Sequence, residues 1–405
     1  MDLARIRSDF PVLQREVGGK PIIYLDNACM TLKPRQVVEA MADYYNRLSA
    51  CGGRSVHKLA TEVTVKFEEG RERMRRFLNA NEHREIVFTR NATEAINLVS
   101  RSFDLKRGDI VVTTDREHNS NLVPWLRLRD EKGVRHVVVK SRDDGTFDLE
   151  AFEKLMSRRV KLVAMVHTSN LDGYTIPAEE VIKIAHDHGA VVLLDGAQSA
   201  PHREVDVRKL NVDFYAFSVH KMLGPTGTGV LYGKYELLDA LRPFIVGGDT
   251  VERTTYEDYK MLKPPAKFEA GLQDYAGVIG AAAAAEYLMN IGRSNVHEHE
   301  VRLNTMLTRG LKEIPGARIL GPADPALRGG ITSFNIEGME PHDIAMILDE
   351  VANIMIRSGQ HCVHSWFAAR GIKGSARASL YLYNTEEEVK TFLEVLGRVA
   401  WELSS

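Results

Sequence analysis

The sequence predicts an α/β protein, with a large domain built on a mostly parallel seven-stranded sheet flanked by helices and a smaller α+β domain. Two observations support this fold class. Short apolar runs alternate with longer helix-like segments between about residues 85 and 235, a pattern typical of parallel sheets that are covered on both faces. The chain also has 405 residues, which is long enough for two domains.

Seven apolar runs are predicted to be the strands of the large sheet. Each run is short and rich in β-branched or aromatic residues, and most are followed by polar or glycine-containing segments. Helices are predicted between many of them, for example over Thr93–Arg101 and Ala178–His188. The predicted strands span residues 85–89, 109–114, 136–140, 161–168, 190–195, 213–218 and 229–233.

The remaining chain is predicted to form a second unit. The alternating pattern weakens after residue 235, and Pro264-Pro265 interrupts any helix there. We expect a large domain over residues 19–275 and a small α+β domain formed by residues 1–18 and 276–405. Its predicted elements are the helices Gly277–Ile291, Asn295–Glu313, His342–Ala352 and Glu386–Glu402 and the strands Gly330–Asn335 and Ser375–Tyr383.

The composition narrows the classes of function. Lys and Arg number 53 against 55 Asp and Glu, so the chain lacks the basic excess that nucleic acids or anionic membranes attract. No apolar run approaches the roughly 18 residues of a membrane helix, and the N-terminus lacks the apolar core of a signal peptide. Three cysteines without paired spacing suggest neither a disulfide framework nor a zinc site. We therefore expect a cytoplasmic protein with no nucleic-acid or membrane partner and no metal.

The strongest chemical motif is DFYAFSVHKMLGPTGTGVLYG, residues 213–233. A predicted strand delivers Ser218, His220 and Lys221, and a glycine-rich turn follows that lacks the residue order of a nucleotide P-loop. A lysine at a strand end, partly removed from water, is suited to forming a Schiff base. The alternative is a surface lysine beside a flexible turn.

A second motif, AVVLLDGAQSA, places Asp195 at the end of a predicted strand and Gln198 three residues later. Taken alone, such an aspartate is typical of a helix cap or a turn. Pyridoxal phosphate, however, requires both a lysine and a carboxylate that keeps its pyridine nitrogen protonated. Asp195 and Lys221 follow successive predicted strands, so the pair indicates this cofactor.

Three more residues follow predicted strands and suit the same cofactor. Thr93 opens a helix whose N-terminus suits a phosphate, although it also fits as a simple N-cap. His118 is suited to stacking on a pyridine ring and to proton transfer, although a lone histidine there is usually a surface residue. Asn170, in VHTSNLDG, is suited to a hydrogen bond with the cofactor's O3′.

Together these motifs resemble the cysteine desulfurases of the sulfur-mobilisation type, which have a short catalytic loop. These enzymes belong to aminotransferase class V and to the fold-type I pyridoxal-phosphate enzymes. The resemblance covers essentially the whole chain. The matching segments are YLDNA (24–28), GGRSVHKLA (52–60), TRNATEAINLV (89–99), EHNSNLVPW (117–125), HTSNLDG (167–173), DGAQSAPH (195–202), SVHKMLGPTGTG (218–229), FEAG (268–271), IRSGQHC (356–362) and ARASLYLYNTEEEV (376–389).

The resemblance implies how the cofactor, pyridoxal 5′-phosphate, is held. Lys221 would form the Schiff base, and Asp195 would pair with the pyridine nitrogen. His118 would stack on the ring and take part in catalysis, and Gln198 and Asn170 would bind near O3′. The residues implied for the phosphate group and its surroundings are Ala92, Thr93, Ser218 and His220.

The resemblance also implies the residues that handle the substrate. Arg377, assisted by Asn170, would hold the carboxylate, and Arg357 would line the same entrance. Cys362 matches the catalytic cysteine of the short-loop enzymes. It lies in the polar segment SGQHCVH, where nearby histidines favour a reactive thiol.

Two features depart from the family pattern. Cys29 stands where the family usually has a small residue, and we interpret both it and Cys51 as inert side chains. After FEAG the family has a threonine that reaches the phosphate of the partner subunit's cofactor, whereas Leu272 and Gln273 follow here. Gln273 is a candidate replacement for that contact.

The implied activity is conversion of L-cysteine to L-alanine with a persulfide on Cys362, which supplies sulfur for Fe–S cluster assembly. The implied partners are a second copy of the chain and a sulfur-acceptor or Fe–S scaffold protein. Selenocysteine lyase and another class V aminotransferase-like enzyme are the alternatives within the class. An alternative of another class is a metal-binding sulfur carrier with His361, Cys362 and His364 as ligands.

Overall fold

The computed structural model of the chain describes residues 1–404. Within these residues, all seven predicted runs form strands of one sheet, which confirms the predicted fold class. Six of the strands point the same way, and Gly229–Gly233 runs antiparallel to both of its neighbours. In spatial order the strands are Ile86–Thr89, Gly229–Gly233, Phe214–Ser218, Val191–Asp195, Val160–Val166, Ile110–Thr114 and Arg135–Val139.

The large sheet is buried on both faces, which explains why its strands are continuous apolar runs. Val192 and Leu194 belong to one hydrophobic cluster, while Leu193 between them belongs to the cluster on the opposite face. Successive side chains of a strand point to opposite faces, so both faces must be covered by helices. The first cluster is the larger and extends to the helix Tyr275–Ile291.

Helices connect the strands and surround the sheet. Several begin at a side chain that caps the first turn; Asn91, for example, accepts a hydrogen bond from the backbone N–H of Glu94. The α-helices of the described residues are Leu3–Ser8, Arg35–Asp43, Lys58–Leu78, Ala92–Ser102, Asn119–Lys132, Leu149–Leu155, Ala178–Asp187, Val207–Leu210, Tyr235–Ala240, Tyr275–Ile291, Arg293–Glu313, Pro341–Ala352, His364–Arg370 and Glu386–Ser404.

A second, antiparallel sheet has its own hydrophobic core, in which Leu303, Phe334, Ile344 and Phe392 are buried together. Its strands, in spatial order, are Ala317–Ile319, Ile331–Ile336, Ser375–Ser379 and Arg357–Gly359. Three two-stranded pairings complete the described sheets: Glu16–Val17 with Lys20–Pro21, Val251–Thr254 with Tyr259–Met261, and the parallel pair Ile23–Tyr24 with Ile354–Met355.

The helix Tyr275–Ile291 packs against Lys58–Leu78 and Arg35–Asp43. Its small residues allow close approach: a Cβ on Gly280 would lie 2.7 Å from the Met41 side chain. The division into residues 19–275 and the remainder stays a prediction. Among the described helices, none is both long and apolar enough to cross a lipid bilayer.

Candidate active site

The predicted site residues converge on one cavity of about 230 Å³ at the edge of the large sheet. Six strands of the sheet point the same way, so the residues that follow them meet at a single edge. The cavity lining includes all twelve of these residues: Ala92, Thr93, His118, Asn170, Asp195, Gln198, Ser218, His220, Lys221, Arg357, Cys362 and Arg377.

Lys221 and Asp195 form the centre of the cavity. Asp195 is the last residue of its strand, and Lys221 lies in the short turn Val219–Lys221 directly after the parallel neighbouring strand. Burial lowers the pKa of Lys221, although the charge of Asp195 opposes this. Burial likewise raises the pKa of Asp195, although the hydrogen bond that its carboxylate accepts from Ala197 N at 3.0 Å acts to lower it. A lysine that loses its proton readily is a nucleophile, and a buried carboxylate of this kind fits a cationic ring nitrogen.

One end of the cavity is built to receive an anion. The helix Ala92–Ser102 begins there, and its free N–H groups and dipole favour a phosphate. Ser218 Oγ accepts a hydrogen bond from Ala92 N at 2.8 Å, and Thr93 Oγ1 lies 2.7 Å from Ser120 Oγ. Burial, assisted by the charges of Lys221 and Lys33, lowers the pKa of His220 to about 4, so its ring is neutral at pH 7.

His118 is neutral and oriented by its own helix. It is the N-cap of Asn119–Lys132, and its Nδ1 accepts from Ser120 N at 3.1 Å. Burial and the nearby charges of Lys221 and Arg377 lower the pKa of His118 to about 3. Because Nδ1 accepts, the ring proton of the neutral form is on Nε2, which makes His118 a hydrogen-bond donor at that atom.

Two buried side-chain amides in the cavity each have an oxygen available to bind a ligand. Gln198 Nε2 donates to Ala28 O at 2.7 Å, and Asn170 Nδ2 donates to His361 O at 2.7 Å. Among the described residues, Gln198 Oε1 and Asn170 Oδ1 have no hydrogen-bond partner although both are buried. Buried polar atoms are normally satisfied, so these two indicate that a polar group binds between them and Lys221. The donor set therefore fits pyridoxal phosphate.

Two arginines on adjacent strands lie together in the cavity lining. Arg377, only 2% exposed, donates to Asn170 O at 3.0 Å and to Asp26 Oδ1 at 3.2 Å. Within the described part of the chain, Arg377 Nε has no partner. Arg357 lies opposite Arg377 in the strand register and approaches Asp26 at 3.8 Å. Two guanidinium groups in one cavity attract a carboxylate, which arginine binds in a bidentate manner.

Cys362 lies on a tightly held loop that lines the same cavity. His361 and Cys362 both have left-handed backbone angles, with φ of +50° and +60°, which non-glycine residues rarely adopt. The loop is held by hydrogen bonds from Asn119 N to Cys362 O at 2.7 Å and between His361 Nε2 and Ser375 Oγ at 2.8 Å. Cys362 is partly exposed, so its thiol can meet both the cavity and solvent.

Comparison with known proteins decides the family. The profile described as Aminotransferase class-V matches residues 23–392. The chain belongs to this family. Pyridoxal 5′-phosphate, on which aminotransferase chemistry depends, is its cofactor, as the sequence predicts.

Within the class V family, its similar relatives are cysteine desulfurases. A probable cysteine desulfurase of Synechocystis sp. is 44% identical over 397 residues, covering 97% of this chain and 94% of the relative. The apo structure of a cysteine desulfurase from Thermococcus onnurineus superposes with a TM-score of 0.94 at 41% identity, covering 98% of both chains. The structure of an S-sulfonic acid form of an Escherichia coli cysteine desulfurase superposes with a TM-score of 0.91 at 35% identity, covering 100% of this chain and 99% of that chain. The predicted resemblance is confirmed, and the chain is a class V enzyme of the cysteine desulfurase group.

The cavity of this class V enzyme also contains residues that the sequence did not predict. Ser120 and Thr168 line it, and so does Cys29, for which the sequence favours an inert role. His361, which the sequence offers only as a candidate metal ligand, lines it as well. Cys29 directly follows the YLDNA motif, and this adjacency is the sequence feature that indicates its place in the cavity. Cys51 is exposed and, in the described structure, lies outside the lining.

The substitution after FEAG leaves the predicted contact with a partner untested. Leu272 is 68% exposed. Gln273 Nε2 donates within its own loop, to Gly271 O at 3.1 Å and to Ala270 O at 3.4 Å. A role for Gln273 at the phosphate of a second subunit stays a prediction.

Proposed function

We propose that this class V enzyme converts L-cysteine to L-alanine and leaves the removed sulfur as a persulfide on Cys362. One observation carries the proposal: a nucleophilic lysine, a buried carboxylate, a paired arginine site and a cysteine thiol line the same cavity. A transaminase needs the first three of these groups, whereas only sulfur transfer requires the thiol of Cys362 at the substrate end.

Arg377 and Arg357 would position the substrate. The two guanidinium groups supply the positive charge, and the unpartnered Nε of Arg377 offers a donor that its contacts with Asn170 and Asp26 leave free within the described structure. Binding the carboxylate there directs the amino group towards Lys221 and the side-chain sulfur towards Cys362. Asn170, held by its Nδ2 bond to His361 O, joins this site to the loop of Cys362.

Lys221 would move the proton. The bound cofactor supplies an electron sink that Asp195 keeps protonated. Because burial lowers its pKa, the amine of Lys221 can be neutral and take the proton from the substrate Cα. Neutral His118, with its proton on Nε2, is suited to donate a hydrogen bond beside the ring.

Cys362 would take the sulfur. Its thiolate attacks the substrate sulfur, the Cβ–S bond breaks, and a new Sγ–S bond forms on Cys362. The electron pair of the broken bond stays with the three-carbon fragment, which takes up a proton and leaves as alanine. The partial exposure of Cys362 then lets an acceptor protein or a small thiol remove the outer sulfur.

We further propose that the enzyme works as a homodimer that passes its sulfur to an acceptor or scaffold protein for Fe–S cluster assembly in the cytoplasm. Support for the homodimer comes from the exposed apolar residues Phe244, Ile245 and Leu272. Together with Gln273, they surround a second cavity of about 390 Å³. Exposed apolar clusters of this kind mark protein–protein contacts.

The test is turnover of L-cysteine with a reductant present. The wild-type enzyme should release equal amounts of alanine and sulfide, and Lys221→Ala should release neither because it lacks the proton carrier. Release of a 2-oxo acid in place of alanine would contradict the proposal and favour amino-group transfer. Turnover of L-selenocysteine alone would favour selenocysteine lyase.

A further inference from the structure

The cavity contains a second thiol for which the proposed reaction has no use. Cys29 and Cys362 both line it, although 333 positions separate them in the sequence. Cys29 belongs to the segment after the strand Ile23–Tyr24, which pairs in parallel with Ile354–Met355, two residues before Arg357. The third cysteine, Cys51, is exposed and lies apart from this lining in the described structure.

Cys29 has a cationic neighbour. Arg357 Nη1 donates a hydrogen bond to its Sγ at 2.9 Å, and the Cys29 backbone N–H donates to Asp26 O at 3.1 Å. A guanidinium group that donates to sulfur stabilises negative charge on that sulfur and orients it. Negative charge on Cys29 or on Cys362 would also raise the pKa of Lys221, so both sulfurs act electrostatically on the same amine.

Two further residues of the cavity lining have buried polar atoms that can bind a ligand. Arg377 Nε and Asn170 Oδ1 are buried and, among the residues described, lack partners. Arg377 is 2% and Asn170 5% exposed, so neither atom can be satisfied by bulk water. A ligand that satisfies these two atoms would therefore lie in the cavity that Cys29 and Cys362 both line.

We propose that Cys29 is a second sulfur acceptor, to which the persulfide of Cys362 passes its outer sulfur. The inference rests on the proposed desulfurase function. The Cys29 thiolate attacks the outer sulfur of the persulfide, and a Cys29 Sγ–S bond forms. The bond from that sulfur to Cys362 Sγ breaks, and its electron pair leaves with Cys362 as a thiolate, which takes up the proton that Cys29 gave up. The exchange is a form of thiol–disulfide chemistry, so it needs no oxidant or reductant.

The consequence is storage of two sulfur atoms by one chain. Cys362 becomes free after the transfer and can accept sulfur from a second L-cysteine. Without a reductant, the wild-type holoenzyme should therefore release a burst of about two alanines per chain, against about one for a single acceptor. Cys29 and Cys362 are both partly exposed and line the same cavity, so the sulfur can be located on either residue by alkylation.

The experiment compares four forms of the holoenzyme under anaerobic conditions with a small excess of L-cysteine. The alanine burst is counted, and the sulfur is located by alkylation, digestion and peptide mass. Wild type should carry sulfur on both Cys362 and Cys29. Cys29→Ser, whose hydroxyl can still accept from Arg357, should give about half the wild-type burst and carry sulfur on Cys362 alone. Cys51→Ser is the matched control and should behave as wild type.

The order of transfer is tested by Cys362→Ser, in which Cys29 should carry no sulfur because its donor is gone. A wild-type burst of about one alanine would overturn the proposal. A larger burst with all the sulfur on Cys362 would overturn it as well, because that residue would then carry a chain of sulfur atoms. Failure of wild type to release any alanine would instead reject the desulfurase function itself.

Discussion

A buried ion pair anchors the segment FEAG to the large sheet, and its loss has a calculable cost. Arg71 Nη1 and Nη2 donate to Glu269 Oε1 and Oε2 at 2.7 and 2.8 Å, and the two side chains are 3% and 6% exposed. Glu269 Oε1 also accepts from Phe88 N at 2.8 Å. The guanidinium group lies between the rings of Phe67 and Phe88, at 5.1 and 4.9 Å from their centres.

The perturbation is Glu269→Gln, which keeps the shape and removes the charge. The carbonyl oxygen of the new glutamine can accept one hydrogen bond from Arg71, but its NH₂ group then faces the other N–H donor of Arg71. Removing one partner of a buried pair costs about 3–5 kcal/mol, because the other charge stays buried without compensation. Glu68 still contacts Arg71 Nε at 3.1 Å from a half-exposed position. We therefore expect Glu269→Gln to lower the free energy of unfolding by about 3 kcal/mol, the lower end of this range.

The assay is the free energy of unfolding from urea titrations followed by far-UV circular dichroism. The chain provides a matched control on the same helix, where Arg73 pairs with Glu286 at 3.0 Å and the side chains are 35% and 52% exposed. Solvent screens such a pair, so Glu286→Gln should cost less than about 1 kcal/mol. Equal losses for the two variants would show that burial does not determine how much an ion pair stabilises the fold.

Three further predictions concern the residues around the cavity. Burial lowers the pKa of His361 from 6.5 to about 2. As pH falls below 6.5, the His361 ring is therefore protonated in the unfolded chain but not in the folded one. Between pH 6.5 and about 5.5 the free energy of unfolding should therefore fall by about 1 kcal/mol more for wild type than for His361→Gln, measured by urea titration at each pH. Gly173 and Gly227 both have left-handed φ angles, but a Cβ at Gly173 would lie 1.8 Å from Arg328 O, whereas one at Gly227 has nothing within 4 Å. In urea titrations Gly173→Ala should cost about 1–3 kcal/mol more than Gly227→Ala, and equal costs would contradict the predicted clash. Arg377→Lys, which loses the fork geometry, should raise KM for L-cysteine roughly 10- to 100-fold and keep the cofactor absorbance; an unchanged KM would place the carboxylate elsewhere.

The large sheet was predictable because its strands are buried on both faces. In VVLLD, Val192 and Leu194 face one cluster and Leu193 the other, so the run is apolar without interruption. Such runs are visible in a single sequence. The cofactor end of the cavity followed from the same pattern, because Asp195 and Lys221 come after successive parallel strands and must meet at one edge.

The substrate end could not be predicted from periodicity. Arg377 and Cys362 come from an antiparallel sheet and a loop whose position depends on tertiary packing. Only the family resemblance identified Arg377, whereas the polar segment around Cys362 also favoured that cysteine. The contact between Arg357 and Cys29 depends on a pair of two-residue strands, which leave no periodic signal. The hydrogen bond from Asn119 N to Cys362 O likewise joins distant segments through backbone atoms, which carry no residue-specific signature.

The role of Cys362 as sulfur acceptor is tested by removing its thiol and measuring product release. Wild type and Cys362→Ala are loaded with pyridoxal phosphate, and alanine release from L-cysteine is measured with a reductant present. We expect both proteins to show the cofactor's visible absorbance, wild type to release alanine and sulfide, and Cys362→Ala to release almost no alanine. Alanine release by Cys362→Ala at the wild-type rate would contradict the role of Cys362 as sulfur acceptor, because sulfur removal would then proceed without this thiol.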